Sequence, residues 1–247
     1  MSGGPVPAAL SPLEEARFGV RTARAANFVT TGSLPAVLDF CSANHVRFLI
    51  AKSRADQSGA AQQMERLGFL LTETTMFLTR DLARTPVPPH DGPLTIRPFQ
   101  LGDEPTVRAI AAQSFRGYFG HYHADPRLDP AKCDEAYVDW AARSCASTEV
   151  ADAVFMAEEE GTVVGFLTLK RNSAEEGQPV LSGILPRARG RGAYRLLIRQ
   201  GLEWSQGLGA VRSVAVVHVA NTPVLRTLGR LGYEPTYAFY TFHKWFD

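Results

Sequence analysis

Cysteine is scarce. Cys41, Cys133 and Cys145 stand far apart in 247 residues, with no CxxC and no Cys/His ligand spacing. That argues against a disulfide scaffold and against a thiolate metal site, and it suits a reducing compartment, so a cytoplasmic protein without a metal is expected. Long apolar runs are missing too. The opening MSGGPVPAALSP has neither the basic nor the apolar region of a secretion signal, and no stretch could span a bilayer, so no membrane partner is expected. Nor is charge of one sign in excess: 26 Lys and Arg against 25 Asp and Glu leave a formal charge of +1. Such a balance gives no global attraction to nucleic acid, so any recognition of an anion must be local.

One local feature answers that requirement. An apolar run from Val180 to Leu185 stops at Pro186, a basic Gly-rich turn follows, and Tyr194, Leu197, Ile198 and Leu202 then recur at helical spacing. In a strand, turn and helix of this kind, Gly190 and Gly192 leave amides uncovered at the positive end of the helix dipole. Arg187, Arg189 and Arg191 add cations around them. The corner suits a phosphate or pyrophosphate, the plainer alternative being a solvated basic helix cap. Neither the Walker nor the Rossmann glycine spacing is present.

The length allows one large or two small domains. Thr85 to Pro93, TPVPPHDGP, has four prolines in nine residues and reads as a linker, giving residues 1–84, 85–93 and 94–247 as the expected organisation. Before the linker the pattern gives a strand within Phe18 to Val29, a helix over Leu34 to Asn44 and a strand over Val46 to Ala51. A helix over Ser58 to Leu67, ended by Gly68, and a strand over Phe69 to Leu78 follow. After it, LTIRPF reads as a strand and Asp103 as the cap of a helix with Val107, Ile110, Ala111 and Phe115 on one side. A loop rich in aromatics and histidines then leads to a helix holding Tyr137, Val138 and Trp140. Ala153 to Ala157 and Thr162 to Lys170 form a hairpin, Val211 to Val219 a buried strand, Thr222 to Leu231 a helix, and Thr236 to Trp245 a last strand. The segment from Val46 also echoes that from Val211, ending in Arg-Leu-Gly-aromatic in both, with an offset that changes by one residue along the pair.

Arg187-Ala188-Arg189-Gly190-Arg191-Gly192 fits R/Q-x-x-G-x-G/A, and with the element order β-α-α-β-β-β-α-β-α-β from Leu94 onward the chain resembles the GNAT acyl-CoA-dependent N-acetyltransferases. The resemblance implies a mixed α/β sheet flanked by helices, preceded by a smaller, partial GNAT-like domain that lacks the turn and binds no cofactor. It further implies that acetyl-CoA is the donor and that Arg187, Arg189, Gly190, Arg191, Gly192 and Ala193 hold its pyrophosphate. An amide near Ile184 or Leu185 would face the thioester oxygen, and Asn221 would either contact the pantetheine arm or cap its helix. The opening PLEEARFGVRTARA and the segment QQMERLGFLLTE look similar to members that acetylate the 4-amino group of dTDP-linked deoxysugars. A nucleotide sugar is therefore the acceptor implied, with an amino acid, peptide or antibiotic amine, or a non-catalytic CoA-binding module, as alternatives.

The loop from Phe115 to Arg127 is expected to cover the acceptor. Arg116, Arg127 and Lys132 suit its phosphates, and Tyr118 and Tyr122 could stack on a ring. Many relatives carry a tyrosine seven residues after the asparagine as acid for the leaving thiolate, where this chain has Leu228. Candidates for the base are His123, placed ahead of His121, then His218 and Tyr240, with a hydrogen-bonded core role as the alternative for His218. A homodimer is left open.

Overall fold

The structure, a computed structural model, describes residues 7–90 and 92–246. Residues 1–6, Asp91 and Asp247, parts of the three expected segments and of the opening read above for a signal, lie outside the described residues. The chain divides into two compact units that are both discontinuous: Met1–Met76, Phe119–Cys133 and Tyr237–Asp247 in the first, Phe77–Tyr118 and Asp134–Thr236 in the second. The Pro-rich stretch lies inside the second unit and marks no boundary between the two.

The first unit orders its strands β1 (Ala8–Leu10), β2 (Thr22–Phe28), β3 (Phe48–Arg54), β10 (Glu234–Trp245) and β4 (Leu70–Asp81). Its helices are α1 (Pro12–Phe18), α2 (Leu34–Ala43) and α3 (Ser58–Arg66). Strand β2 runs parallel to β3, and β10 antiparallel to it with Thr241 opposite Lys52, His243 opposite Ile50 and Trp245 opposite Phe48. Side chains alternate across a strand, so one face takes Leu49, Ala51 and Phe242 into a core with Val37, Cys41 and Met64. The opposite face carries Arg24, Lys52, His243 and Trp245.

In the second unit the order is β4, β9 (Arg212–His218), β8 (Glu176–Ile184), β7 (Thr162–Ser173), β6 (Ala153–Glu159) and β5 (Thr95–Pro98). Helices α4 (Glu104–Ser114), α5 (Pro130–Ala146), α6 (Ala193–Gly207) and α7 (Thr222–Arg230) follow the expected sequence of elements. Asp103 stands at the N-cap of α4 without capping it through its side chain. Its carboxylate is drawn instead to Arg97, at 2.6 and 3.0 Å. Glu160 and Gly161, at φ 50° and 76°, close the β6–β7 hairpin in a tight two-residue turn. Among the described residues no helix is long and apolar enough to cross a membrane, and no group of His, Cys, Asp and Glu could hold a metal.

The echo in the sequence is a structural repeat. Strands β3 and β9 start at 48 and 212, helices α3 and α7 at 58 and 222, strands β4 and β10 at 70 and 234, and each pair matches in length. The offset is thus constant at 164 residues rather than changing by one. Even the caps agree: Phe69 N–H donates to the Met64 carbonyl and Tyr233 N–H to that of Leu228, both at 3.0 Å. Gly68 and Gly232 take φ of 74° and 80° in the two turns. The repeats differ between their first strand and first helix, where residues 29–33 connect β2 to α2 but 185–192 connect β8 to α6. The glycine turn belongs to the second copy alone.

Candidate active site

After β8 the chain makes a single 3-10 turn, Pro186–Ala188, and enters α6 at Ala193. Gly190 and Gly192 sit at φ 76° and 90°, where a Cβ would be strained, and nothing stands within 4 Å of the place a Cβ would occupy. Space over the turn is open at both. By geometry the first helical bond runs from Leu196 N–H to the Gly192 carbonyl at 3.0 Å, so the amides of Ala193 and Tyr194, in the first turn, have no acceptor one turn back in the helix. Of the three arginines, Arg187 is exposed, Arg189 turns back to the Ile184 and Ser114 carbonyls at 3.4 Å, and Arg191 pairs with Glu159 at 2.9 Å. An exposed pair of this kind is worth little and can be exchanged for a bound anion.

Strands β8 and β9 pair in parallel only at Glu176 with Arg212 and Gly177 with Ser213. Beyond Gly177 they part, leaving a gap that ends at the glycine turn. The register of β8 on β7 decides which amide faces this gap. Leu185 N–H is already bonded to the Val164 carbonyl at 2.9 Å, so it is not the oxyanion donor that the family pattern allowed. Ile184, opposite Gly165, is the neighbouring non-bonded pair, and its N–H therefore points away from β7. The Ile184 carbonyl points the same way, accepting Ser114 Oγ at 3.2 Å.

Asn221 occupies the N-cap of α7, but its side chain makes no capping bond, so the amide is left to other partners. Leu228, in the position of the usual tyrosine, is fully buried. His218, at the end of β9, accepts the Ala220 N–H on Nδ1 at 2.9 Å. A neutral imidazole so bonded carries its proton on Nε2, and burial lowers its pKa, so His218 presents a donor and is a poor base. Two phenols that the sequence did not single out lie nearby in the fold. Burial raises the pKa of Tyr194 strongly and that of Tyr233 to about 12, with Tyr233 hydrogen-bonded to Ser213 at 2.7 Å.

The aromatic loop divides. Arg116 is exposed, and Tyr118 belongs to the second unit, packed edge-on against Phe115 and Tyr137 at 5.5 and 5.2 Å. From Phe119 onward the loop belongs to the first unit. Tyr122 there is buried and donates to Glu14 at 2.8 Å while accepting from Arg24 at 2.7 Å, so it is structural and does not offer a stacking surface. Arg127 is exposed and lies over the Trp245 ring at 5.4 Å, and Lys132 is half-buried at the start of α5. Tyr240 packs on the core side of β10, which removes it as a base.

His121 and His123 are both half-buried, but His121 has the more telling surroundings. Its Nδ1 lies 2.9 Å from His243 Nε2, and His243 Nδ1 lies 2.7 Å from Asp125 Oδ2. Neither Asp125 nor His243 was legible as a site residue, because about 120 residues separate the partners. The one available signal was the alternation of β10, which sets Thr241, His243 and Trp245 on one face.

Residues 112–233 match the acetyltransferase (GNAT) family. A mycothiol acetyltransferase of Actinosynnema mirum is 27% identical over 188 residues, 74% of this chain and 59% of that protein, so the chain spans little more than half its length. A GCN5-related N-acetyltransferase from Kribbella flavida shares the fold at a TM-score of 0.64 and 16% identity, over 98% of this chain and 88% of its own. A tandem GNAT protein from the clavulanic acid biosynthesis pathway does so at 0.62 and 15%, over 99% and 81%, in keeping with the internal repeat. Residues 112–233 are thus similar to the GNAT acetyltransferases, enzymes that use acetyl-CoA as donor.

Proposed function

We propose that the protein transfers an acetyl group from acetyl-CoA to a primary amine of a small molecule. The observation that carries this reading is the Gly190 to Ala193 turn at the end of the β8–β9 gap. Its open amides and exposed arginines suit a diphosphate, the unpaired edge of β8 suits the amide-bearing pantetheine arm, and Asn221 has a side chain free of capping duty. Ile184 N–H is the donor placed to stabilise the thioester oxygen as it gains charge. In the reaction the amine nitrogen bonds to the carbonyl carbon, and the C–S bond breaks with its electron pair on sulfur. Of the two protons that an ammonium group must lose, one neutralises the thiolate and the other leaves through a base. An ordinary thiol pKa of about 8.5 lets the thiolate depart near neutrality, so Leu228 in place of an acid costs little.

For the acceptor, the Actinosynnema mirum relative is named for mycothiol, and an amine of that class is the first to test. The dTDP-linked 4-amino-deoxysugar rests on sequence resemblance alone, and the burial of Tyr122 takes away one of its expected stacking partners. Incubation with acetyl-CoA and a panel of both kinds, following free thiol and product mass, decides between them. CoA binding with no turnover on any amine would favour a non-catalytic module.

A further inference from the structure

The two copies of the repeat treat one position differently. Arg80 is the last residue but one of β4 and Lys244 the last but one of β10, so the two are counterparts at the constant offset. Each lays its cationic end against a glycine that ends a helix: a Cβ on Gly232, after α7, would lie 3.5 Å from Arg80 Nη1, and one on Gly68, after α3, 3.3 Å from Lys244 Nζ. Beyond that the likeness stops. Arg80 is fully buried, and its Nη1 and Nη2 donate to the carbonyls of Leu231, Thr85 and Pro86. Lys244 is half-buried and, among the described residues, its ammonium group makes no hydrogen bond and no ion pair. Where the second copy ties its cation to backbone, the first copy has a cavity of about 250 Å³, walled by Gly68, Asp125, Arg127, His243, Lys244 and Trp245, all of them in the first unit.

Two cations line this space, and both rest on aromatic rings. Arg127 is exposed, with its guanidinium over the Trp245 ring at 5.4 Å, and Lys244 stands over Phe246 at 5.8 Å. The Arg127 side chain, like that of Lys244, makes no ion pair among the described residues. A ring holds a cation in place without neutralising it, so both charges are left for an anion. The one acidic wall residue is already saturated. Asp125 is fully buried; its Oδ2 accepts from His243 Nδ1 at 2.7 Å and from Trp245 Nε1 at 2.9 Å, and its Oδ1 accepts from Arg127 N–H at 3.0 Å. Burial works to raise its pKa, but these bonds hold it below the usual value, so it is a carboxylate. Burial also keeps the His243 pKa below its ordinary value, and that ring is neutral near pH 7. Two cations against one carboxylate leave the cavity positive.

We propose that this cavity binds a small oxyanion, a phosphate or carboxylate group, between Lys244 and Arg127. The guanidinium fork of Arg127 matches two oxygens of either group, and Lys244 adds a point charge with three donors. The cavity is smaller than the pockets of drug-sized ligands, about 300–1,000 Å³, so it suits inorganic phosphate or a short-chain carboxylate rather than a whole nucleotide. Binding here involves no acetyl transfer and stands whether or not that reading holds.

The test uses the full chain with 15N-labelled tryptophan, the Trp245 indole signal being assigned from Trp245→Phe. Sodium phosphate and sodium malonate are titrated separately, with sodium chloride keeping the ionic strength constant. The Trp245 signal should shift saturably with at least one of them, and the tighter of the two tells whether the tetrahedral or the planar group fits better. Lys244→Met, which keeps the apolar stem, and Arg127→Gln should each weaken that binding by about tenfold. Both side chains reach the surface, so each variant should keep the native circular dichroism spectrum. Arg21→Gln, which removes an exposed cation of the same unit outside the cavity, should leave binding unchanged. No saturable shift with either anion up to about 0.1 M, where screening acts over about 10 Å, overturns the proposal. So does a shift that Lys244→Met and Arg127→Gln leave intact, which would put the anion elsewhere, or an equal loss in Arg21→Gln, which would reduce the effect to overall charge.

Discussion

Gly192 and Tyr122 show how differently two side-chain positions can be constrained. At Gly192 the constraint is conformational: φ is 90° and the space above it is open, so a larger residue is strained by about 1–2 kcal/mol and also fills the room an anion would need. Gly192→Val is therefore expected to abolish CoA binding by calorimetry while the circular dichroism spectrum stays native. At Tyr122 the constraint is a buried network. Burial acts to raise the Glu14 pKa, yet hydrogen bonds and charge from Arg24 and the Tyr122 hydroxyl hold it below 4.5. A depressed carboxyl contributes stability that is complete above its unfolded pKa and lost as pH falls through the folded value. Tyr122→Phe should cost about 1–2 kcal/mol near neutrality and narrow that acid-side loss, measurable as chemical denaturation at several acid pH values.

At the level of elements, strand β8 sets the geometry of the gap. Its parallel partner β9 is held at Gly177, where a Cβ would lie 2.1 Å from Ser205 Oγ on α6 and 2.8 Å from Ser205 Cβ. Gly177→Ala should destabilise by about 1–3 kcal/mol in thermal or denaturant unfolding, as overpacking does. Most elements were readable from sequence because apolar spacing and the Gly and Pro stops agree: α2, α3, α4, α7 and the β6–β7 hairpin lie within a few residues of expectation. Helix α1 was not readable, since its seven residues owe their place to Glu14 and to a proline at the start. The glycine turn was legible as a local pattern, whereas the parting of β8 from β9 depends on register across separate strands. The contact of His121 with His243 was not readable, because spacing along a loop says nothing of what a strand far along the chain brings to it.

For the whole molecule, the notable feature is that the last strand of each repeat is used in the other half of the chain. Strand β10 of the second repeat pairs with β3, and the end of β4, from the first repeat, enters the second unit. There Arg80 is fully buried and donates to the Leu231, Thr85 and Pro86 carbonyls. Residues 1–84 or 94–247 produced alone should each lack a strand, fail to unfold cooperatively and bind 8-anilinonaphthalene sulfonate, whereas co-expression should restore a single transition. A stable, cooperatively unfolding 94–247 fragment would show that the exchanged strands are dispensable. The exchange also bears on synthesis in the cell. Strand β3 leaves the ribosome about 10–40 s before β10, at ordinary elongation rates. Through that interval the partners of Leu49 and Ala51 on Phe242 do not yet exist, so the amino-terminal half must wait as an incomplete sheet, in need of a chaperone's shelter, for a strand still to be translated.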